Sequence, residues 1–197
     1  MTLSVDSLLE LDRQHHLHPF TNHDELHAAG THLLERGDGV FLHDGNGRRL
    51  LDGLAGLWCV NVGYNCGEIV EAVAEQMRRL PYYPSFFNST TEPAILLAER
   101  LAALAPPNLK HAMFSNSGSE ANETALKLIR AYFNLCGAPH KTKILTREFG
   151  YHGVTLATAS MTGLASCYAP FGLPLPGFVH VPGPNAYAAN QEHDPVG

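Results

Sequence analysis

Ser115-Asn116-Ser117-Gly118-Ser119-Glu120-Ala121-Asn122 decides how this chain is read, because a strand-like run precedes it and a long helical run follows. Upstream, His111-Ala112-Met113-Phe114 has the character of a short strand. Downstream, apolar spacing predicts a helix over 120–135 with Gly137 as its C-cap. The same grammar repeats: a strand over 142–146, a helix over 153–161 and a strand over 178–181. Strands alternating with helices make an α/β fold with a parallel sheet, and such sheets bind ligands at the carboxyl ends of their strands. The loops 115–119 and 148–153 fall at those ends.

Toward the N-terminus the pattern differs. Residues 39–43 and 48–52 read as two strands joined by Asp44-Gly45-Asn46-Gly47, a β-hairpin turn. Ile69, Val70, Val73, Met77 and Leu80 follow helical spacing until Pro81 stops them, and a second helix opens at Thr91-Glu92-Pro93 and ends at Pro106-Pro107. Before Gly37 only a short helix over 7–15 is expected, the rest being irregular. This divides the chain into an N-terminal segment, 1–80, and the start of a sheet-based domain, 81–197.

Composition narrows the function. The 197 residues are 45% hydrophobic, enough for a sizeable core, and the net charge of −6 with scattered Lys and Arg gives no footprint for nucleic acid. The sequence shows neither a leader nor an apolar run of the ~18 residues needed to span a bilayer, so no membrane partner and a cytoplasmic location are expected. Cys59, Cys66, Cys136 and Cys167 lack paired spacing and read as reduced, mostly buried thiols. His15, His16, His18, His23, His27 and His32 crowd the first segment, but Pro19 and Gly30 break any helix that would align them, and no metal site is expected.

The chemistry lies in the opening stretch. The first turn of a helix has free N–H groups and the positive end of the dipole, and Ser117 and Ser119 add hydroxyls around a glycine that lets an anion approach. That is a phosphate cup, lacking both the Walker spacing and the dinucleotide fingerprint. Serines in such a place ordinarily do no more than cap the helix.

The run 117–127, Ser-Gly-Ser-Glu-Ala-Asn-Glu-Thr-Ala-Leu-Lys, is similar to the phosphate-binding run of class III aminotransferases that depend on pyridoxal phosphate (PLP). Phe149-Gly150-Tyr151-His152-Gly153 resembles the family's Tyr-His-Gly segment, and Gly53-Leu54-Ala55-Gly56-Leu57-Trp58 resembles the segment found in its ω-transaminases. The resemblance covers nearly the whole chain. It implies PLP fold type I, the aspartate-aminotransferase-like architecture, with residues 1–80 as small-domain part and 81–197 as the incomplete PLP-binding large domain. It further implies that Ser117, Gly118 and Ser119 hold the PLP phosphate and that Tyr151 stacks on the ring. Phe20, Leu57, Trp58 and Phe86 would line the substrate pocket of a homodimer, with Phe86 reaching the neighbouring site. Its substrates would be an amine or ω-amino acid and a keto acid, pyruvate.

One requirement of the family is not met here. The Schiff-base lysine and the carboxylate that pairs with the pyridine nitrogen are absent, since Lys110, Lys127, Lys141 and Lys143 all precede the place where the family carries that lysine. No catalytic residue is therefore assigned, and the chain alone is expected to be inactive, a fragment. Two alternatives stay open: an aminomutase or decarboxylase of the same fold, and a non-catalytic truncated module.

Overall fold

Ser4 accepts a hydrogen bond from the Ser7 N–H and opens α1 (Val5–His15), and Asn22 accepts from the N–H groups of Asp24 and Glu25 to open α2 (His23–Ala29). These elements belong to a computed structural model that describes residues 3–184. The chain divides into two compact units, Met1–Thr90 and Thr91–Gly197. The end of the predicted second segment, 185–197, lies outside the described residues.

In the first unit, β1 (Leu34–Asp38), β2 (Phe41–Asp44) and β3 (Arg49–Leu51) form an antiparallel sheet in that order. The predicted hairpin is β2–β3, with Phe41 opposite Leu51 and His43 opposite Arg49. Asp44 closes it: its carboxylate, only 3% exposed, accepts from the Asn46 and Arg48 N–H groups and from Arg48 Nε at 2.6 Å. Burial pushes the Asp44 carboxyl up, but the Arg48 N–H and guanidinium outweigh it and hold the carboxyl below its usual range. After a single turn, α3 (Ala55–Trp58), comes α4 (Gly67–Arg79). The stretch before Gly37 is thus less irregular than expected. Asn22 with Asp24 and Glu25 was a readable helix start, whereas Leu-Glu-Arg-Gly-Asp of β1 lacks alternation and becomes a strand only by pairing with β2.

The second unit begins with α5 (Glu92–Leu104), where Pro93 sits in the first turn and Thr91 precedes it without making a side-chain capping bond. Then follow α6 (Gly118–Leu135), β4 (Ile144–Arg147), α7 (Leu156–Met161), α8 (Ala165–Tyr168) and β5 (Phe178–Val181). Gly137, at φ +70°, ends α6 as expected. β4 and β5 pair in parallel from Ile144 opposite Phe178 to Arg147 opposite Val181. The strand expected at 111–114 does not form. A strand exists only where neighbours take its N–H and C=O groups, and no backbone hydrogen bond involves those residues among the described ones.

The buried centre of this unit is α7. Thr158, Ser160 and Thr162 are fully buried and all hydrogen-bonded; Ser160 Oγ accepts from the Leu175 N–H, and Thr146 Oγ1 on β4 donates to the Met161 carbonyl. Apolar faces of the longer helices are uncovered, Leu135 being 89% exposed. No described helix is long and apolar enough to cross a membrane.

Candidate functional site

Ser117 is extended (φ −152°) and caps α6: its Oγ accepts from the Glu120 N–H at 3.1 Å, while Glu120 Oε2 accepts from the Asn116 N–H at 2.9 Å. The ordinary capping role is therefore what Ser117 performs. Gly118 and Ser119 are the first helical residues, and their N–H groups have no acceptor among the described residues. A Cβ on Gly118 would meet nothing within 4 Å. Two free donors at the positive end of an 18-residue helix, with open space before them, suit an anion.

The loop after β4 is tied to this helix start by three bonds from one face of α6. The Val154 N–H donates to Ser119 Oγ (3.1 Å), Asn122 Nδ2 donates to the His152 carbonyl (2.8 Å), and Thr155 Oγ1 donates to Glu123 Oε1 (2.5 Å). From the other side, the His152 N–H donates to buried Thr162 Oγ1 at 3.0 Å. Gly153, at φ +137°, has no room for a side chain: a Cβ would fall 2.5 Å from both Ser119 Oγ and Thr158 Oγ1. Tyr151 rides on this pinned loop and is 54% exposed. Within the second unit, then, Ser117, Gly118 and Ser119 lie beside the loop that carries Tyr151. Asn122, Glu123, Thr155 and Thr162 were not singled out from sequence; their role is visible only once the loop has folded back. None of the four lysines takes part in these bonds, Lys141 instead placing Nζ 4.8 Å from the Phe133 ring centroid.

The other predicted residues, Phe20, Leu57, Trp58 and Phe86, lie in the first unit. All are exposed, Trp58 at 78%, but so are most large apolar residues here, and exposure does not single them out. Backbone conformation marks three of them, though not Phe86, and Asn65, Phe87, Asn88 and Phe149 share the trait. Phe20 has φ +50°, and α3 is a left-handed turn, with φ of +49° at Ala55, +56° at Gly56, +60° at Leu57 and +65° at Trp58. Each non-glycine residue so placed costs roughly 1–2 kcal/mol, and such outliers cluster at functional sites.

What holds α3 is a carboxylate. Asp52 Oδ1 accepts from the Leu54 N–H at 3.0 Å, and Oδ2 accepts from the Gly56 N–H at 2.9 Å and from the Tyr64 hydroxyl at 2.6 Å. The Tyr64 hydroxyl is the main cause that keeps the Asp52 carboxyl below its usual range, and Asp52 in turn raises the Tyr64 phenol. Tyr64 is fixed to the sheet by Gly39, which donates to its carbonyl (3.1 Å) and accepts from its N–H (2.7 Å).

Two further features lie elsewhere. Asp12, His16 and His18 do come together despite Pro19, with His16 Nδ1 at 2.8 Å and His18 Nε2 at 3.0 Å from Asp12 oxygens, a group able to hold a metal ion. As they stand the imidazole nitrogens bond to the Asp12 oxygens, and the His16 and His18 ring centroids lie 4.2 Å apart with the rings tilted by 42°. Cavities of about 290 Å3 beside Val5, His32 and Arg48, and of about 440 Å3 beside Phe133 and Lys141, touch no predicted site residue. A cup of N–H groups at a helix end is a surface feature, so the geometry of α6 outweighs those volumes. The four cysteines are free, but none is buried, and Cys59 and Cys136 are exposed, which corrects the expectation of mostly buried thiols.

A family model described as Aminotransferase class-III matches residues 23–196. The chain is 40% identical over 185 residues to a putrescine–pyruvate aminotransferase of Pseudomonas aeruginosa, covering 94% of this chain and 41% of the relative. It is 39% identical over 196 residues to a diaminobutyrate–2-oxoglutarate transaminase of Halomonas elongata, covering 98% and 42%. Among solved structures, an (S)-enantioselective ω-transaminase from Thermomicrobium roseum superposes with a TM-score of 0.92 at 43% identity, covering 98% of this chain and 43% of that one. An ω-transaminase from Pseudomonas jessenii in complex with PMP gives 0.89 at 40% identity, covering 92% and 40%. The chain spans about two-fifths of the length of these proteins.

Proposed function

As the chain belongs to the class III aminotransferases, we propose that it is the N-terminal part of a transaminase that moves an amino group from an amine or ω-amino acid to pyruvate through PLP. The observation that carries this reading is the start of α6, where the free N–H groups of Gly118 and Ser119 face open space beside the pinned Tyr151 loop. These residues fit the phosphate of PLP: two unpartnered donors and the positive helix end complement a dianion, and Gly118 lets it approach the backbone.

When bound, PLP supplies the electron sink that lets an amino group leave one carbon and join another. The chain's own residues hold and orient it. Gly118 and Ser119 bind the phosphate, Ser117 keeps the helix end open by capping one turn further on, and Tyr151 lies against the planar ring. Asn122, Glu123 and Thr162 keep the Tyr151 loop in place. Phe20, Leu57, Trp58 and Phe86 form the apolar wall that admits an amine and keeps water away. The division we infer is a small-domain part over 1–80 and the beginning of the PLP-binding domain over 81–197, in a protein that works as a homodimer.

Proton transfer at the reacting carbon needs the lysine that this chain does not carry, so we expect activity only from the full-length protein. There, incubation with a primary amine and pyruvate should yield alanine one-for-one with donor consumed. Carbon dioxide release or an isomerised amine in place of alanine would instead identify the decarboxylase or aminomutase, and no turnover of any amine would sink the reading.

A further inference from the structure

The left-handed turn α3 carries two of the residues assigned above to the substrate wall, and the sequence does not make it left-handed by itself. Only Gly56 among its four residues adopts that hand without strain. Something outside the turn must fix it, and the contacts name the agent. Asp52 sits three residues ahead and takes the N–H groups of Leu54 and Gly56 on its two oxygens. Its second oxygen also takes the Tyr64 hydroxyl, and Tyr64 is anchored by two backbone bonds to Gly39, with its ring packed where Gly37 lacks a Cβ. On the far side, the N–H groups of Cys59 and Val60 both reach the Ala55 carbonyl. The turn is thus determined from the sheet through Tyr64 to Asp52 and then to the backbone.

We propose that Asp52 and Tyr64 are positioning residues for substrate selection: they impose the left-handed turn that aims Leu57 and Trp58, and so set which amines are accepted. The inference rests on the reading of Leu57 and Trp58 as substrate wall. An acceptor pair is required at 52, because two N–H groups and a hydroxyl donate to it at once. Asparagine offers one acceptor and turns an NH2 group toward donors. Phenylalanine at 64 removes one donor and leaves the carboxylate free to rotate away from the turn. Alanine at 56 would place its Cβ 2.8 Å from Val60 Cγ2 and 3.3 Å from the Tyr64 hydroxyl, pressing on the same link from within.

The test uses the full-length, PLP-loaded enzyme and two donors, a primary amine with an aryl group on the amine carbon and a short linear alkylamine. The readout is the ratio of their kcat/KM values, with cofactor content and Tm as controls. W58A, D52N and Y64F should shift the ratio in the same direction. At D52N the shift should be about tenfold, below the ~10²-fold that a 1 Å misplacement of a positioning group costs. D52N combined with W58A should fall short of the sum of the two single shifts, because D52N acts in part through the Trp58 side chain that W58A removes. With 5-fluorotryptophan incorporated, the resonance that disappears in W58A should move in Y64F. Should D52N lose its cofactor, Y64F and G56A supply the same ratio. If W58A shifts the ratio while D52N, Y64F and G56A leave it within about twofold, the positioning role is overturned and the wall stands. If W58A itself leaves the ratio unchanged, the wall reading fails and takes the proposal with it.

Discussion

Gly118→Ala separates a phosphate cup from a helix cap more sharply than any serine substitution, because the two roles give it opposite signs. Gly118 is the first residue of α6, lies outside the positive-φ glycines, and has open space where its Cβ would go. If the segment only caps a helix, alanine is welcome: replacing a helical glycine stabilises by roughly 0.5–1 kcal/mol through lost chain entropy. If a phosphate sits there, the new methyl stands between the anion and the N–H groups of Gly118 and Ser119. Losing one hydrogen bond to a charged group costs roughly 1.5–3 kcal/mol, or about 10- to 100-fold in affinity. The assay is a PLP titration of the full-length apo-protein, paired with its melting curve. The expected result is an apo Tm at or above wild type together with a Kd for PLP raised at least about tenfold. A G118A protein that binds PLP as tightly as wild type would refute the cup and leave the Ser117–Glu120 cap as the segment's whole role.

Asn122→Ala should remove the 2.8 Å bond to the His152 carbonyl, lower stability by about 1–3 kcal/mol and raise hydrogen exchange at residues 149–155 while α6 stays protected. Tyr151→Phe should keep PLP affinity, whereas Tyr151→Ala should weaken it by about tenfold in the same titration, since an aromatic face is what the ring needs. Asp44 is held below its usual range, so its contribution to the hairpin is in full above the unfolded aspartate value of about 4 and is lost as pH falls through the lower folded value. The Tm gap between wild type and D44N should accordingly be widest near neutral pH and close in acid. The isolated 197-residue chain should aggregate, given apolar residues as open as Leu135, and should show no reducible bond between PLP and a lysine; a monodisperse sample carrying such a bond at one lysine would contradict both expectations.

Local signals in the sequence were strong where structure is local. The start and end of α6, the β2–β3 hairpin, the Pro-bounded α5 and the parallel pairing of β4 with β5 all follow from capping residues, turn residues and alternation. The failures are tertiary. His111–Phe114 has strand composition but no pairing neighbour among the described residues, and β1 has a neighbour but no strand composition. The same divide runs through the candidate site. Gly118 and Ser119 announce themselves by sitting at the start of a helix. Asn122 reads in sequence only as one member of the run 117–127, and its actual partner, His152, is 30 residues away. Nor could spacing reveal that Asp52 serves the backbone of the turn that follows, since that depends on Tyr64 arriving twelve residues later.

The hand of α3 also governs how the substrate wall can change. At Leu57 and Trp58 the backbone is the first filter: glycine and asparagine enter a left-handed position easily, while valine, isoleucine and threonine meet it as outliers whatever the pocket would prefer. A saturation library at 58 would therefore be sorted by backbone compatibility before any amine is offered, and glycine variants would combine extra volume with a relaxed main chain. A size series restricted to tryptophan, phenylalanine, methionine and leucine, all unbranched at Cβ, keeps the main-chain cost level and lets volume alone speak.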